Sequence, residues 1–325
     1  MDRPARNGPG RQNWTAPASA LVFGGIISVQ VGAGLAARMF ALLGPAGVTG
    51  LRLWWSALIV AVIGGRALGR SLRSVVTDRA WHDLAVAVAF GVVLGIMNYS
   101  IYQSFARIPL GVAVTIEFLG PLAVAVGSSR RWLDLLWVGM AAAGVLLLTG
   151  GGTRLASMGG THAGPILGLS TQAAGIAFGL VAAAGWAAYI LLSRATGRRF
   201  SGASGQVIAM VVAAILATGP AIATTGSALL HPGILAEGLV IGLLSSVIPY
   251  RLELEALRRV RAGVFGIWMS MEPAVAALVG LLVLGESLLA RQWLAIACVI
   301  VACAGAARAS APEQRDRDNL PPPPA

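Results

Sequence analysis

Apolar residues run along this chain in blocks of about twenty, separated by short segments rich in Arg, Gly and Pro. Ten blocks can be placed, at about 17–37, 44–64, 83–104, 108–127, 133–150, 171–193, 204–225, 237–256, 262–284 and 290–307. A helix of that length crosses a hydrocarbon core of roughly 30 Å. The pattern therefore predicts an all-α integral membrane protein with ten transmembrane helices.

Composition strengthens this reading. Of 325 residues, 57% are hydrophobic and 11% charged, with a mean hydropathy of +0.78. A soluble domain carries roughly 25% charged residues. A soluble enzyme, a secreted disulfide scaffold and a disordered regulator are excluded on this ground. The net charge of +11 would suggest nucleic acid in a soluble protein, but here the placement of the charge speaks for topology. All 24 basic residues are Arg. With the N-terminus inside, eighteen of them fall in inner segments and four, Arg38, Arg107, Arg154 and Arg291, in outer loops. That positive-inside bias predicts cytoplasmic termini in a multi-pass plasma-membrane protein and no nucleic-acid partner.

Residues 1–16 read as a basic, uncleaved N-terminal tail, and 309–325, with the Pro321 to Pro324 run, as a disordered cytoplasmic tail. Cys298 and Cys303 lie on different sides of one helix and read as packing residues. His82, His162 and His231 are scattered without ligand spacing, so neither a metal nor a cofactor is expected. The loop Gly150-Gly151-Gly152-Thr153-Arg154 lacks the ending of a phosphate-binding loop, and no segment could be an ATPase domain. Transport by this chain would be secondary.

The chain also repeats itself. Tyr99 aligns with Tyr250 at an offset of 151, and Pro121 with Pro273 at 152. Each copy holds five spans, so the second enters the membrane from the opposite side, and the expected units are 17–150 and 171–308 joined by an outer loop at 151–170. Inverted repeats place a cavity between the halves near the midplane.

These segments resemble a known family. Asn98-Tyr99, Pro109 to Val114, Glu117 to Ala125 and Ser129-Arg130-Arg131 followed by Asp134 look like the first half of the RhtA-type threonine/homoserine exporters, in the EamA branch of the drug/metabolite transporter superfamily. Ser245-Ser246, Pro249-Tyr250, Leu252-Glu253, Ala256-Leu257, Phe265-Gly266, Met269 to Ala274 and Leu284-Gly285-Glu286 match the second half. The resemblance runs from about 18 to 307. It implies two inverted five-helix EamA-type repeats and export of small amino acids across a bacterial-type inner membrane. Arg251 departs from the pattern, which has a small polar residue after Pro-Tyr, and so bears on substrate charge preference.

Polar residues within the spans carry the candidate chemistry, because a charge there costs at least about 2.5 to 3.5 kcal/mol and is normally paired or turned to a cavity. Arg52 and Glu117 are both roughly 12 to 14 Å deep from the outer side and can meet. Glu272 lies near the midplane. A zwitterionic amino acid needs a bidentate donor for its carboxylate, for which Arg52 is the choice, and an acceptor for its ammonium, for which Glu117 or Glu272 serves. Gln30, Asn98 and Tyr99 would add hydrogen bonds, with Tyr102 and Gln103 nearer the surface and Tyr250 as the repeat counterpart of Tyr99. Alternatively, Arg52 and Glu117 neutralise each other to join two helices, and Glu272 packs beside Pro273.

Pro121 and Pro273 free the carbonyls of Glu117 and Met269 and read as helix kinks. Arg251, Glu253 and Glu255 form a charged cluster at the inner end of the eighth span, either snorkelling, with Arg251 paired to Glu255, or forming an inner gate. Titration of the buried carboxylates makes the proton the candidate coupling ion. The alternatives are an EamA-type carrier of other metabolites or drugs and, remotely, a membrane lipid enzyme. Membrane lipids are the surrounding partner, and ten helices can enclose a pathway in one chain.

Overall fold

The computed structural model describes residues 17–77, 81–127, 134–149, 170–200, 204–260 and 262–318. Among these residues there are helices and turns but no strand, as expected where each backbone polar group must be satisfied within its own segment. In chain order the helices are α1 (Ala18–Arg38), α2 (Phe40–Thr77), α3 (Trp81–Phe105), α4 (Leu110–Glu117), α5 (Leu119–Gly127), α6 (Asp134–Thr149) and α7 (Thr171–Gly197). They continue with α8 (Ser204–Thr225), α9 (Pro232–Gly242), α10 (Ile248–Leu257), α11 (Ala262–Met269), α12 (Glu272–Val279) and α13 (Ala290–Asp318).

Nine helical segments among the described residues are long and apolar enough to cross a membrane. They coincide with nine of the ten predicted blocks. The block at 133–150 corresponds to α6, whose apolar stretch Leu136–Leu147 is shorter. Many large apolar side chains, among them Leu42, Val62, Ile215 and Leu282, are left exposed, which suits a surface facing lipid. The segment from 309, expected to be disordered, is helical as far as Asp318. Continuing an existing helix needs no new nucleus, and Glu313, Gln314, Arg315 and Arg317 favour helix, which outweighs Pro312. The N-terminal tail, the Gly150–Arg154 loop and nearly all of 151–170 lie outside the described residues.

Three of the nine segments are broken. α4 stops at Glu117 and α5 begins at Leu119. α11 stops at Met269 and α12 begins at Glu272. Pro121 and Pro273 have no N–H to give the carbonyl four residues back, and those carbonyls belong to the two residues that end α4 and α11. The regular helix is therefore interrupted near both prolines, while Phe118 and Met271 between the pieces keep right-handed helical dihedrals. Between α9 and α10, Leu243–Val247 forms a π-helical turn, and Pro249 follows it, removing the donor that Ser245 O would otherwise have. A second π-helical turn, Gly280–Leu284, ends the α11–α12 segment.

The packing pairs distant segments. α1 lies along α10 and the first π-helical turn, α2 along α8, α3 along α7 and α8, α4 against α12, and α6 against α13. Small residues allow the approach. A Cβ built on Gly91 would lie 2.6 Å from Ala209 O, and one on Gly111 would lie 2.6 Å from both Cα and Cβ of Ala277. At Gly111 the obstacle is backbone, so α4 and α12 would have to separate. Gly111→Val is expected to lower unfolding stability in detergent by about 1 to 3 kcal/mol. Gly139→Ala, whose added Cβ meets nothing within 4 Å, should leave the same unfolding curve unshifted or slightly raised.

Candidate functional site

Arg52 on α2 reaches across to two other segments. Its Nη1 donates to Asn98 Oδ1 at 2.9 Å and to Tyr102 OH at 3.3 Å, both on α3. Its Nη2 donates to Ser245 O at 3.3 Å, the carbonyl that Pro249 leaves without a helical donor. The guanidinium also sits 5.4 Å from the centroid of the Tyr102 ring, a cation–π distance. Asn98 Nδ2 donates to Leu94 O at 2.8 Å, which turns the amide oxygen toward the arginine. Arg52 Nε is buried and has no partner.

A second polar group lies where α1 meets α12. Gln30 Nε2 donates to Glu272 Oε1 at 2.8 Å, and the two residues are 2% and 7% exposed. Gln30 Oε1 is buried without a partner. Glu272 interacts electrostatically with both Glu117 and Glu253, and Glu117 with Arg52. Electrostatic interactions thus link Arg52 of α2 to Glu117 of α4, and Glu272 of α12 to both Glu117 and Glu253 of α10.

Several expectations are corrected. Arg52 and Glu117 make no direct ion pair. The guanidinium donors go to Asn98, Tyr102 and a carbonyl instead, because these neutral acceptors are held in place by α3 and the π-helical turn. Tyr102, expected near the surface, is 1% exposed. It packs against Phe40 at 5.8 Å and Phe105 at 5.7 Å between ring centroids. Tyr99, one residue beyond Asn98, is half-buried and in electrostatic range of Arg107. Tyr250 is exposed on α10 and interacts electrostatically with Tyr189.

The inner charged cluster separates as well. Arg251 is exposed, and Glu253 is half-buried with its Cγ 3.5 Å from where a Cβ on Gly25 of α1 would stand. Glu255 pairs with Arg258 at 3.3 Å and Arg259 at 2.7 Å, not with Arg251. A Glu placed before its Arg on a helix is the better order. Among the described residues no three His, Cys, Asp or Glu side chains are grouped to hold a metal.

Three contributors were missed in the sequence. Ser245 acts through its carbonyl, and the signal was Pro249 four residues on. Ser28 Oγ donates to the neighbouring Leu244 O at 2.7 Å, and no sequence signal marks it. Glu286 Oε2 accepts from Leu110 N at 2.9 Å, and the motif Leu284-Gly285-Glu286 was visible without a role.

The EamA-like transporter family model matches residues 173–308. The threonine/homoserine exporter RhtA of Salmonella typhimurium is 38% identical over 278 residues, 86% of this chain and 87% of the relative. The chain belongs to the EamA-like transporter family. The RhtA exporter of Escherichia coli is 37% identical over the same share of each chain. A protein of known crystal structure shares the fold, with a TM-score of 0.55 at 17% identity, covering 91% of this chain and 99% of its own. As an EamA-like transporter the chain is a multi-pass membrane carrier of small molecules and not an enzyme. In this transporter the broken helices bring backbone carbonyls and buried side chains to one level, where an unbroken helix would offer only apolar surface.

Glu286 lies between the last two membrane segments. Burial pushes its carboxyl from the usual 4.5 up to about 7, and the hydrogen bond from Leu110 N–H opposes that shift. A raised carboxyl pKa favours the folded state at low pH. Stability should therefore fall as pH rises from about 4.5 to 7 and level off above. Melting temperatures of wild type and Glu286→Gln measured across this range check it, the difference between the two curves closing toward neutral pH being the wrong result.

Proposed function

We propose that this chain exports small hydroxylated amino acids of the threonine and homoserine type across a bacterial inner membrane, by alternating access. The unpartnered Nε of Arg52 is the observation that carries this reading. Nη1 is occupied by Asn98 and Tyr102, while the edge formed by Nε and Nη2 holds one 3.3 Å bond to Ser245 O. A carboxylate docking there gains two parallel charge-assisted hydrogen bonds. The ammonium then faces Glu117 or Glu272, and Gln30 Oε1 is an acceptor in want of a donor. The names of the Salmonella and Escherichia relatives support the substrate class.

Two inverted five-helix repeats, 17–150 and 171–308, provide the machinery. With α4–α5, α9–α10 and α11–α12 each taken as one span, the packing follows a two-fold exchange of the halves. The first span packs on the eighth and the third on the sixth, and second, fourth and fifth each meet their own counterparts. The family match over 173–308 supports the same division. The arginine distribution supports cytoplasmic termini. Glu253 then lies on the cytoplasmic approach, with Arg251 and Glu255 at its mouth, and protons on Glu117, Glu253 and Glu272 couple export to the pH gradient. Tyr99, Tyr102 and Tyr250 flank the pathway.

Efflux of preloaded threonine or homoserine from cells lacking their own exporters tests the reading. At matched membrane abundance, Arg52→Ala should lose about tenfold or more, the factor for one charge-assisted bond pair, and Arg52→Lys should recover little because an ammonium is not bidentate. Unaltered efflux in Arg52→Ala would move the carboxylate site elsewhere. Absence of efflux with intact protein would exclude this substrate class and favour other metabolites or drugs. Collapse of the pH gradient at constant membrane potential should stop export if protons drive it.

A further inference from the structure

The Gln30–Glu272 pair holds acceptors without the donors to match them. Gln30 Nε2 on α1 donates to Glu272 Oε1 on α12 at 2.8 Å. A carboxylate oxygen only accepts, so the amide presents its nitrogen there and keeps its own oxygen for another partner. Covalent geometry holds that oxygen about 2.2 Å from the nitrogen, beside the carboxylate. Both residues are buried, and Gln30 Oε1 has no partner. Among the described residues, Gln30 is the one side chain that donates to Glu272, and no arginine pairs with that carboxylate.

The charges around the pair have one sign. Glu272 interacts electrostatically with Glu117 and Glu253, both acidic. Tying α1 to α12 uses the amide nitrogen and leaves the oxygen unexplained. An apolar group set against Gln30 Oε1 would keep that oxygen dry and unpaired, the costly outcome for a buried acceptor. A hydroxyl supplies the missing donor, and an ammonium supplies it while also meeting the carboxylate. The pair therefore fits the far end of a small molecule whose side chain carries a donor.

We propose that Gln30 and Glu272 form the side-chain subsite of the carrier, and that it takes a terminal ammonium as well as a hydroxyl. The order of the electrostatic interactions gives the substrate its direction. Arg52 interacts with Glu117, and Glu117 with Glu272. A carboxylate on Arg52 Nε and Nη2 thus leaves the α-ammonium to Glu117 and the end of the side chain to Gln30 Oε1 and Glu272. Homoserine donates its hydroxyl there. In 2,4-diaminobutyrate an ammonium replaces that hydroxyl on the same carbon skeleton, donates to both groups and brings a positive charge among Glu117, Glu253 and Glu272. A second substrate class follows: short amino acids with an amine at the end of the side chain. The inference rests on the amino-acid carrier proposed above and assigns the part of its site that reads the side chain.

Equilibrium binding to the intact chain in lipid nanodiscs tests this apart from the transport cycle. The probes share one shape and differ in the terminal group: homoserine with a hydroxyl, 2,4-diaminobutyrate with an ammonium and norvaline with a methyl. Homoserine and 2,4-diaminobutyrate should bind within about tenfold of each other, and norvaline about tenfold or more weaker, the factor for one unpaired buried acceptor. Gln30→Leu should bring homoserine and norvaline within about twofold of each other, since the oxygen that tells them apart is gone. Glu272→Gln should weaken 2,4-diaminobutyrate about tenfold or more relative to homoserine and keep homoserine ahead of norvaline. Ratios between probes within one variant are the readout, so a general loss of packing, which lowers all three together, does not imitate the result. The wild-type ratios decide the matter if a variant does not fold. Norvaline binding as well as homoserine, 2,4-diaminobutyrate failing to bind where homoserine binds, or an unchanged homoserine preference in Gln30→Leu would overturn the subsite. Failure of the amino-acid reading itself would look different, with threonine, homoserine and both analogues all failing to bind, and the subsite would fall with it.

Discussion

A guanidinium within a membrane span has to be satisfied by the protein, and the centre of this structure is arranged around that requirement at Arg52. Its donors are met by a side-chain amide, a phenol and a backbone carbonyl drawn from α3 and the turn before α10. Each acceptor depends on something further. Asn98 presents oxygen because its nitrogen is held by Leu94 O. Ser245 O is available because Pro249 cannot donate to it. The π-helical turn, the proline and the orientation of one amide are therefore a single device, and losing the arginine would strand all three in a medium where an unpaired polar group costs several kcal/mol, on the order of a large part of total stability.

The interruptions at Glu117 and Met269 serve the same economy from the other side. A continuous helix shows the membrane interior only side chains, whereas a proline break exposes carbonyls at depth and divides the span into pieces that can shift independently. Both breaks lie beside acidic residues, Glu117 at the end of α4 and Glu272 at the start of α12. The two short helices α4 and α12 cross where Gly111 meets Ala277. Close backbone contact there holds the Leu110 end of α4 against α12, one turn and more away from either acid.

Depth in the membrane was legible from residue counting, and rotation about the helix axis was not. Counting put Arg52 and Glu117 at one level, yet the arginine turns to Asn98 and Tyr102, since which neighbour a side chain meets depends on packing of whole helices. The same gap misplaced Tyr102, which lies close to the end of α3 but is covered by Phe40 and Phe105. It also mispaired Glu255, where both Arg251 and Arg259 were at helical spacing and the helix-end geometry chose the latter. Spans this uniformly apolar carry little amphipathic signal to orient them. The breaks, by contrast, were readable, because proline acts on its own backbone whatever surrounds it.

By itself the sequence determined what each segment must do alone: cross the membrane as a helix, break at a proline, bring its polar residues to a given depth, and carry motifs of the EamA-like family. These follow from local chemistry and from the solvent. The tertiary structure decided who meets whom: Gln30 with Glu272, Arg52 with Ser245 O, Arg38 with Val283 O and Glu286 with the start of α4. Such contacts join residues 176 to 245 positions apart, and hydrogen bonds act over about 3 Å. No pattern along the chain encodes a coincidence that close until the helices have packed.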